Sequence, residues 1–216
     1  GHGVFPGLRY PYTYSVMKTS TGVLLLLALL CLPARLFAQD LPEEIEALLK
    51  RAQRLIYSSS ELENEELTRI LDGATGEIRF LPSREATAYA LGRVELLRGM
   101  YHNSRHESKE AEKALRSALS NAREAISRRE FSEAYRLLAD AHSQMMLAKG
   151  IFYMARNGGE ARDAAKRAVE LDPQNPRARI SVAGFYLNAP AIAGGDPERG
   201  IQELEHALNL PGTGEN

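Results

Sequence analysis

Two segments near the C-terminus repeat one pattern, in which bulky residues on a first helix are followed by small residues on a second helix and then by proline. The first segment comprises Tyr135, Leu138, Ala139, His142, Ala161, Ala165, Ala168 and Pro173, and the second Val182, Ala183, Tyr186, Gly200, Leu204, Ala207 and Pro211. Ala168 and Ala207 lie 39 residues apart, within the spacing of about 20–50 residues that is typical of repeat arrays. One pair of helices cannot bury its apolar stripe alone and stacks on its neighbours. The sequence therefore predicts an array of helical hairpins.

Apolar residues recur at a period near 3.6 along the chain after Gln39, which predicts helices and no convincing strand. Eight amphipathic segments follow one another, enough for about four antiparallel hairpins. Within this pattern we predict a third helix from about Arg84 to Gly99 and a polar loop from Tyr101 to Glu107.

Glycine, proline and capping residues predict the later helix ends. Asn157-Gly158-Gly159 predicts a stop after a long fifth helix that contains Tyr135 and Phe152, and Asp172-Pro173 predicts the end of the sixth helix. Asn175-Pro176 and Asp196-Pro197 combine a capping side chain with proline at the first helical position, and so predict where the seventh and eighth helices begin.

Residues 1–39 have the pattern of an upstream extension followed by a secretory signal, with a cleaved segment from Met17 to Ala38. The apolar run from Val23 to Leu32 has about ten residues, whereas a membrane span needs about twenty. We expect an exported, periplasmic protein whose folded domain comprises residues 40–216. The end at Asn216 without a capping helix leaves a truncated C-terminus as an open alternative.

Cys31 is the only cysteine and invites a lipid anchor, but Leu30 before it disfavours lipidation, because that processing site normally has a small residue there. Membrane contact is therefore expected only if Cys31 is lipidated.

Residues 1–39 carry three of the 27 basic residues and none of the 28 acidic ones, so the remainder has a net charge of −4. This balance favours neither nucleic acid nor an anionic membrane as a partner.

The repeated pattern resembles the tetratricopeptide repeat, most clearly where Leu171-Asp172-Pro173 follows Ala168 and precedes Asn175-Pro176. The resemblance implies an all-α fold, a right-handed superhelix (solenoid) of about four antiparallel helical hairpins. Two departures stand out. Tyr135 and Ala161 are 26 residues apart where the family has about 16, and Tyr186 and Gly200 are 14 residues apart where it has about nine.

The second departure inserts an apolar loop from Asn188 to Gly195 that is rich in proline and glycine. It resembles a loop of exported bacterial repeat proteins, including the T component of TRAP-type transporters, which is thought to partner a periplasmic substrate-binding protein. The resemblance implies a contact role for the interhelical loop residues, which are Pro190, Ile192, Gly194, Gly195 and Asp196. From the residues alone, its glycines indicate positive φ angles in a tight turn.

Catalytic constellations are not evident in the sequence, and we expect a non-enzymatic protein without cofactor. His102 and His106 have a spacing that lets two imidazoles on a helix share a metal, but their polar surroundings favour a solvated loop and no metal site. We predict that His142, in an aromatic slot of the repeat, is packed in the core, and that His206 is exposed.

The inner face of the predicted superhelix is the candidate binding site. In related repeats, residues beside the packing stripe of each first helix point into a groove, and the register assigns nine residues to it: Tyr89, Arg93, Leu97, Arg136, Asp140, Gln144, Arg177, Ile180 and Asn188. Alternating arginine, amide and aromatic side chains suit an extended peptide or a chain terminus.

These features predict an exported repeat protein that mediates protein–protein interaction in the bacterial envelope, as an accessory of a TRAP-type solute transporter in the sharper version. One alternative is a binder of small hydrophobic ligands, with Met145, Met146, Phe152 and Met154 lining an apolar pocket. A second alternative is a purely architectural scaffold. Oligomerisation remains open in each case.

Overall fold

The computed structural model describes residues 41–58, 64–191 and 194–210. These residues form eight α-helices and no strand, which confirms the all-α prediction for the described part of the chain. The helices are α1 (Glu43–Ser58), α2 (Asn64–Ile78), α3 (Arg84–Ser104), α4 (Ser108–Arg128), α5 (Ser132–Lys149), α6 (Ile151–Leu171), α7 (Pro176–Asn188) and α8 (Pro197–Leu208).

Each helix packs against the next one in the chain, and a second set of contacts joins alternate helices. In that second set α1 contacts α3, α3 contacts α5, and α5 contacts α7. The odd-numbered helices therefore lie side by side, and this row positions the candidate site.

Small residues let the helices approach closely. Ala118, Ala122 and Ala125 of α4 are fully buried. At Gly99 an added Cβ atom would lie 2.5 Å from the Leu115 side chain, so α3 and α4 meet where α3 has no side chain. The alanine anchors of both sequence repeats, including Ala168 and Ala207, are also buried. The repeated small residues thus mark helix–helix contacts.

The predicted caps of the last two helices are confirmed. The Asn175 side chain accepts hydrogen bonds from the backbone N–H groups of Arg177 and Ala178, and the Asp196 side chain accepts one from Arg199. Proline occupies the start of both helices, and α6 ends at Leu171, just before Asp172-Pro173.

The predicted loop from Tyr101 to Glu107 is wrong in its first half, because α3 continues to Ser104. Asn103 explains the difference, since its side-chain amide donates to the backbone oxygen of Gln144 at 2.9 Å and to the Gln144 side chain at 3.0 Å. These tertiary contacts hold a polar turn of helix that its composition alone assigns to a loop. The chain then turns at His106, two residues after the end of α3, where φ is 59°.

The predicted long fifth helix is wrong as well. The helix breaks at Gly150, where a φ of 76° favours glycine, and α6 begins at Ile151. Asn157-Gly158-Gly159 lies inside α6 and does not end a helix. The Asn157 amide donates to the Tyr153 backbone oxygen at 3.0 Å, one turn earlier. The extra residues between Tyr135 and Ala161 therefore lengthen α5 and α6 on both sides of a tight turn.

The secretory signal, Cys31 and its lipidation, Ile192 and the C-terminal segment from Pro211 to Asn216 lie outside the described residues. Within those residues, none of the helices has the combined length and apolar character of a membrane span.

Candidate binding cavity

A cavity of about 430 Å³ lies along the row of odd-numbered helices. Its walls come from α1, α3, α5 and α7, and the first half of α6 completes them. A volume of this size falls in the range of about 300–1,000 Å³ found for ligand-binding clefts. We call it the inner cavity.

Eight of the nine residues assigned to the groove line the inner cavity: Arg93, Leu97, Arg136, Asp140, Gln144, Arg177, Ile180 and Asn188. The structure thus brings together side chains from three helices that are up to 95 positions apart in the chain. Their part in binding a partner stays a prediction.

Tyr89 is the exception and belongs to the core, with an exposed fraction of 2%. Its ring packs edge-on against Phe131 at 5.3 Å between centroids, and its hydroxyl donates to Glu133 at 3.1 Å. Burial, together with the nearby Glu133 carboxylate, raises the pKa of Tyr89 to about 12. The groove assignment of Tyr89 is wrong because the start of α5 covers α3 at this turn of the helix.

Two arginines of the inner cavity are already neutralised by carboxylates. Arg93 pairs with Glu46 of α1, and Arg136 pairs with Asp140 and with Glu133, whose Oε2 lies 2.7 Å from the Arg136 Nη2. Burial by itself raises the pKa of Glu133, but the Arg136 guanidinium and the Asn175 amide outweigh it and lower this pKa to about 2. For Asp140 burial prevails over Arg136 and Ser181, and its pKa is raised.

The same carboxylates connect α5 to α7. Ser181 of α7 donates to Asp140 at 2.6 Å. Asn175, the cap of α7, donates from its amide nitrogen to Ser132 at 2.9 Å and to Glu133 at 2.7 Å. Buried polar groups that are fully hydrogen-bonded fix relative positions, so this wall of the inner cavity is pre-organised.

Arg177 differs from the other two lining arginines. It is exposed, and its guanidinium forms no ion pair with any residue that the structure describes. Ile180, one turn along α7, is also exposed, with an accessible fraction of 50%. At the other end of the row Tyr57 of α1 lines the inner cavity and is 67% exposed. The inner cavity therefore continues into open surface at both α1 and α7.

Apolar side chains form the remaining wall, with Met100 from α3, Met146 from α5 and Met154 from α6. Of the four residues predicted for an apolar pocket, Met146 and Met154 line the cavity, whereas Met145 is buried in the core. The assignment of Phe152 is wrong, since this side chain is 87% exposed.

Apart from Met154, the α6 wall lies outside the sequence prediction, because Asn157-Gly158-Gly159 predicts a helix stop there. Tyr153, Asn157 and Ala161 all line the inner cavity and follow one another at intervals of four residues. Such spacing marks one face of a helix, so the pattern that identifies this wall was present in the sequence.

His142 is buried, as predicted from its slot in the repeat, and it also reaches the cavity wall. Its Nδ1 lies 2.8 Å from the Tyr153 hydroxyl oxygen, and its Nε2 lies 3.4 Å from Oε2 of Glu160 without hydrogen-bond geometry. Burial lowers the pKa of His142, and the Glu160 carboxylate opposes this only in part. His206 is exposed, as expected.

The interhelical loop is a defined turn in its described residues. Gly194 has a φ of 90°, as expected for a tight turn, and its N–H donates to Ala191. Glycine is required at position 195 for a steric reason, because an added Cβ atom would lie 1.8 Å from the Ala189 backbone oxygen. Its N–H donates to the oxygen of Pro190, and Asp196 caps α8. These contacts hold the described residues of the loop in place but identify no ligand.

Within the described ranges, no group of three or more His, Cys, Asp and Glu side chains has an arrangement that would hold a metal ion. His102 contacts Glu107 at 2.7 Å. Comparison of the chain with protein-family models, curated proteins and solved structures finds no match in any of the three.

Proposed function

We propose that this protein is a non-enzymatic binding module that holds an extended segment of a partner protein in the inner cavity. Its helices are arranged as a right-handed, tetratricopeptide-like superhelix of about four hairpins. The contacts between alternate helices and the burial of the repeat anchors support this arrangement.

The observation that carries the proposal is the shape of the inner cavity. It follows a row of four helices and opens at both ends, where Tyr57 and Ile180 combine exposure with a place in the lining. An elongated partner fits this shape better than a compact ligand. The Gln53 amide, the Gln144 amide nitrogen and the Asn188 amide oxygen lie along the row and offer donors and acceptors that match a peptide backbone.

Pre-organisation favours binding over chemistry. Glu133, Asp140, Arg93 and Arg136 are engaged with one another or with neighbouring helices. Such groups hold the walls in place and reduce the entropy lost on association. Arg177 remains available to a carboxylate or a backbone carbonyl of the partner.

The cellular setting of the proposal rests on the sequence. The signal-like segment from Met17 to Ala38 favours an exported, periplasmic protein. The loop from Asn188 to Gly195 supports a role as accessory to a TRAP-type transporter, with a periplasmic substrate-binding protein as partner. Genes for such a binding protein and its permease beside this one would strengthen that role, and their absence would remove its main support.

A second candidate is a binder of a small apolar ligand. Met100, Met146 and Met154 together supply a flexible, polarisable wall. Native mass spectrometry of the purified protein separates the two candidates, because a retained small molecule would favour the second.

The test uses exposed lining residues, since Arg93 and Arg136 are buried in ion pairs and their removal would damage the fold. Immobilised protein is incubated with envelope extract, and the captured proteins are quantified. Ile180→Asp should lower capture of the specific partner by about tenfold or more, because it places a charge where an apolar contact is expected. Arg177→Ala should also weaken capture.

Two matched variants control for surface effects. Ile201→Asp changes an isoleucine of α8 that is 53% exposed and lies outside the cavity lining. Arg84→Ala changes an exposed arginine at the start of α3, also outside the lining. A partner captured equally by wild type and both cavity variants would overturn the proposal.

A further inference from the structure

The turn between α5 and α6 exposes three large apolar side chains within six residues. Leu147 is 65% exposed, Ile151 59% and Phe152 87%. We call residues 147–152 the α5–α6 tip. Phe152 has the highest exposed fraction among the large apolar side chains that the structure describes.

These side chains serve neither the core nor the inner cavity. None of the three lines the cavity, whereas the adjacent Tyr153 and Met154 do. The turn itself is well defined, because the Gly150 N–H donates to Met146 at 2.7 Å and the Tyr153 N–H donates to Gly150 at 3.1 Å. Three large apolar side chains exposed within one turn favour an interaction surface over the usual scatter of single exposed apolar residues.

Charge identifies the kind of partner. The nineteen residues from Ala141 to Gly159 contain no Asp or Glu, although the chain has 28 acidic residues among 216. The same stretch contains Lys149 and Arg156, and Arg156 is exposed and forms no ion pair with any described residue.

Carboxylates on the neighbouring helices do not reverse this balance. Lys149 contacts Glu112 of α4 at 2.7 Å, and that carboxylate is shared with Arg116. Arg123 pairs with Glu160, the next acid along α6. The surroundings of the tip are therefore basic, although residues 40–216 carry a net negative charge. Charges beyond about 8 Å are largely screened at physiological ionic strength, so the local balance decides.

We propose that the α5–α6 tip inserts into the surface of an anionic lipid bilayer, through side chains that do not line the inner cavity. Leu147, Ile151 and Phe152 enter the boundary between headgroups and acyl chains, and Arg156 meets the lipid phosphates. Lipidation of Cys31 is then not the only route to membrane contact.

The absence of tryptophan from the chain allows a local test. Phe152→Trp places a single fluorophore at the tip, and Leu208→Trp places one on α8, where Leu208 is 73% exposed. Each full-length variant is titrated with vesicles of phosphatidylcholine and phosphatidylglycerol in equal parts, and with vesicles of phosphatidylcholine alone. We expect the fluorescence of the Phe152→Trp variant to shift to the blue with the mixed vesicles only, and that of the Leu208→Trp variant to stay unchanged.

The remaining outcomes contradict the proposal. An unchanged emission spectrum of the Phe152→Trp variant overturns insertion, and an equal shift with both kinds of vesicle overturns the preference for anionic lipid. A shift that grows with protein concentration in the absence of vesicles identifies a second copy of the chain as the occupant.

A second variant tests the electrostatic part. Arg156→Glu in the Phe152→Trp background should lower the vesicle partition coefficient by about fivefold or more. Arg84→Glu in the same background is the matched control and should leave the coefficient unchanged. Equal coefficients for the two charge variants would refute the role of Arg156.

Discussion

Asp140 on α5 accepts a hydrogen bond from the Ser181 hydroxyl on α7, with 2.6 Å between the two oxygens. The same carboxylate pairs with Arg136, one turn earlier on α5. One side chain thus joins two helices of the inner cavity and neutralises an arginine in its wall. Stability and site geometry depend on the same polar contacts, which leads to the first two predictions.

Arg136→Ala should lower the free energy of unfolding by about 3 kcal/mol or more, because it leaves Glu133 and Asp140 without their shared cation in a mostly buried place. Urea denaturation followed by circular dichroism measures the change. Arg128→Ala is the matched control, since Arg128 pairs with Glu124 on the exposed surface of α4 and should contribute little. Similar losses in the two variants would contradict the buried network.

Acid should remove the stabilisation supplied by Glu133. Its folded-state pKa of about 2 lies below the ordinary value of 4.5, so its contribution is complete above 4.5 and is lost as the pH falls towards 2. The advantage of wild type over Glu133→Gln should shrink by about 3 kcal/mol across this window. The raised pKa of Asp140 makes the stability change with pH in the opposite direction. Because Asp140 is present in both wild type and Glu133→Gln, the difference between their unfolding free energies is the quantity to measure. Parallel curves would contradict the prediction.

Glycine-to-alanine substitutions should have opposite effects in α2 and α3. Gly99→Ala forces Leu115 to move and should destabilise by about 1–3 kcal/mol. Gly73→Ala, inside α2 with no neighbouring atom within 4 Å of the added carbon, should stabilise by about 0.5–1 kcal/mol through helix propensity. Thermal unfolding of both variants checks the signs, and destabilisation by Gly73→Ala would show that α2 packs differently.

The two capping residues should differ in importance. Asp196→Ala removes one exposed cap and should cost about 1 kcal/mol. Asn175→Ala removes a cap and also the bonds to Ser132 and Glu133, and should cost about 2–3 kcal/mol. Urea unfolding compares them, and an equal cost would mean that the bonds between α5 and α7 contribute nothing to stability.

Local chemistry made much of the fold predictable from the sequence. Asn175 and Asp196 predict helix starts, because a capping side chain and a following proline affect only the backbone of the next few residues. Ala168 and Ala207 predict close helix–helix contacts, because only small side chains allow two helix axes to approach. Such features depend little on distant parts of the chain.

The errors arose where distant contacts decide. Asn103 extends α3 through bonds to Gln144 on another helix, which composition does not reveal. Gly158 costs about 1 kcal/mol relative to alanine within a helix, yet it lies beside Met154 in the cavity wall and α6 passes through it. Gly150, the C-cap of α5, is the true break; here the local signal, a glycine with positive φ after Lys149, was present in the sequence.

Prediction of which residues line the cavity succeeded for eight of the nine groove residues and was wrong where another helix intervenes. The register of the odd-numbered helices placed Arg93, Arg136 and Ile180 on the inner cavity, because a helical period persists over several turns. It failed at Tyr89, which the start of α5 covers, and it missed the α6 wall. Which arginines are neutralised also depends on partners such as Glu46, 47 positions from Arg93.

The first turns of α6 belong to two surfaces at once, since Ile151 and Phe152 form part of the tip while Met154 and Asn157 line the cavity. If a ligand in the inner cavity restricts the motion of these turns, the tip loses less conformational entropy when it binds, and the same holds in the other direction. Thermodynamic reciprocity then makes the two effects equal in size. A ligand bound in the inner cavity would then change the affinity of the tip for a bilayer, and a bilayer bound at the tip would change the affinity of the cavity for its ligand.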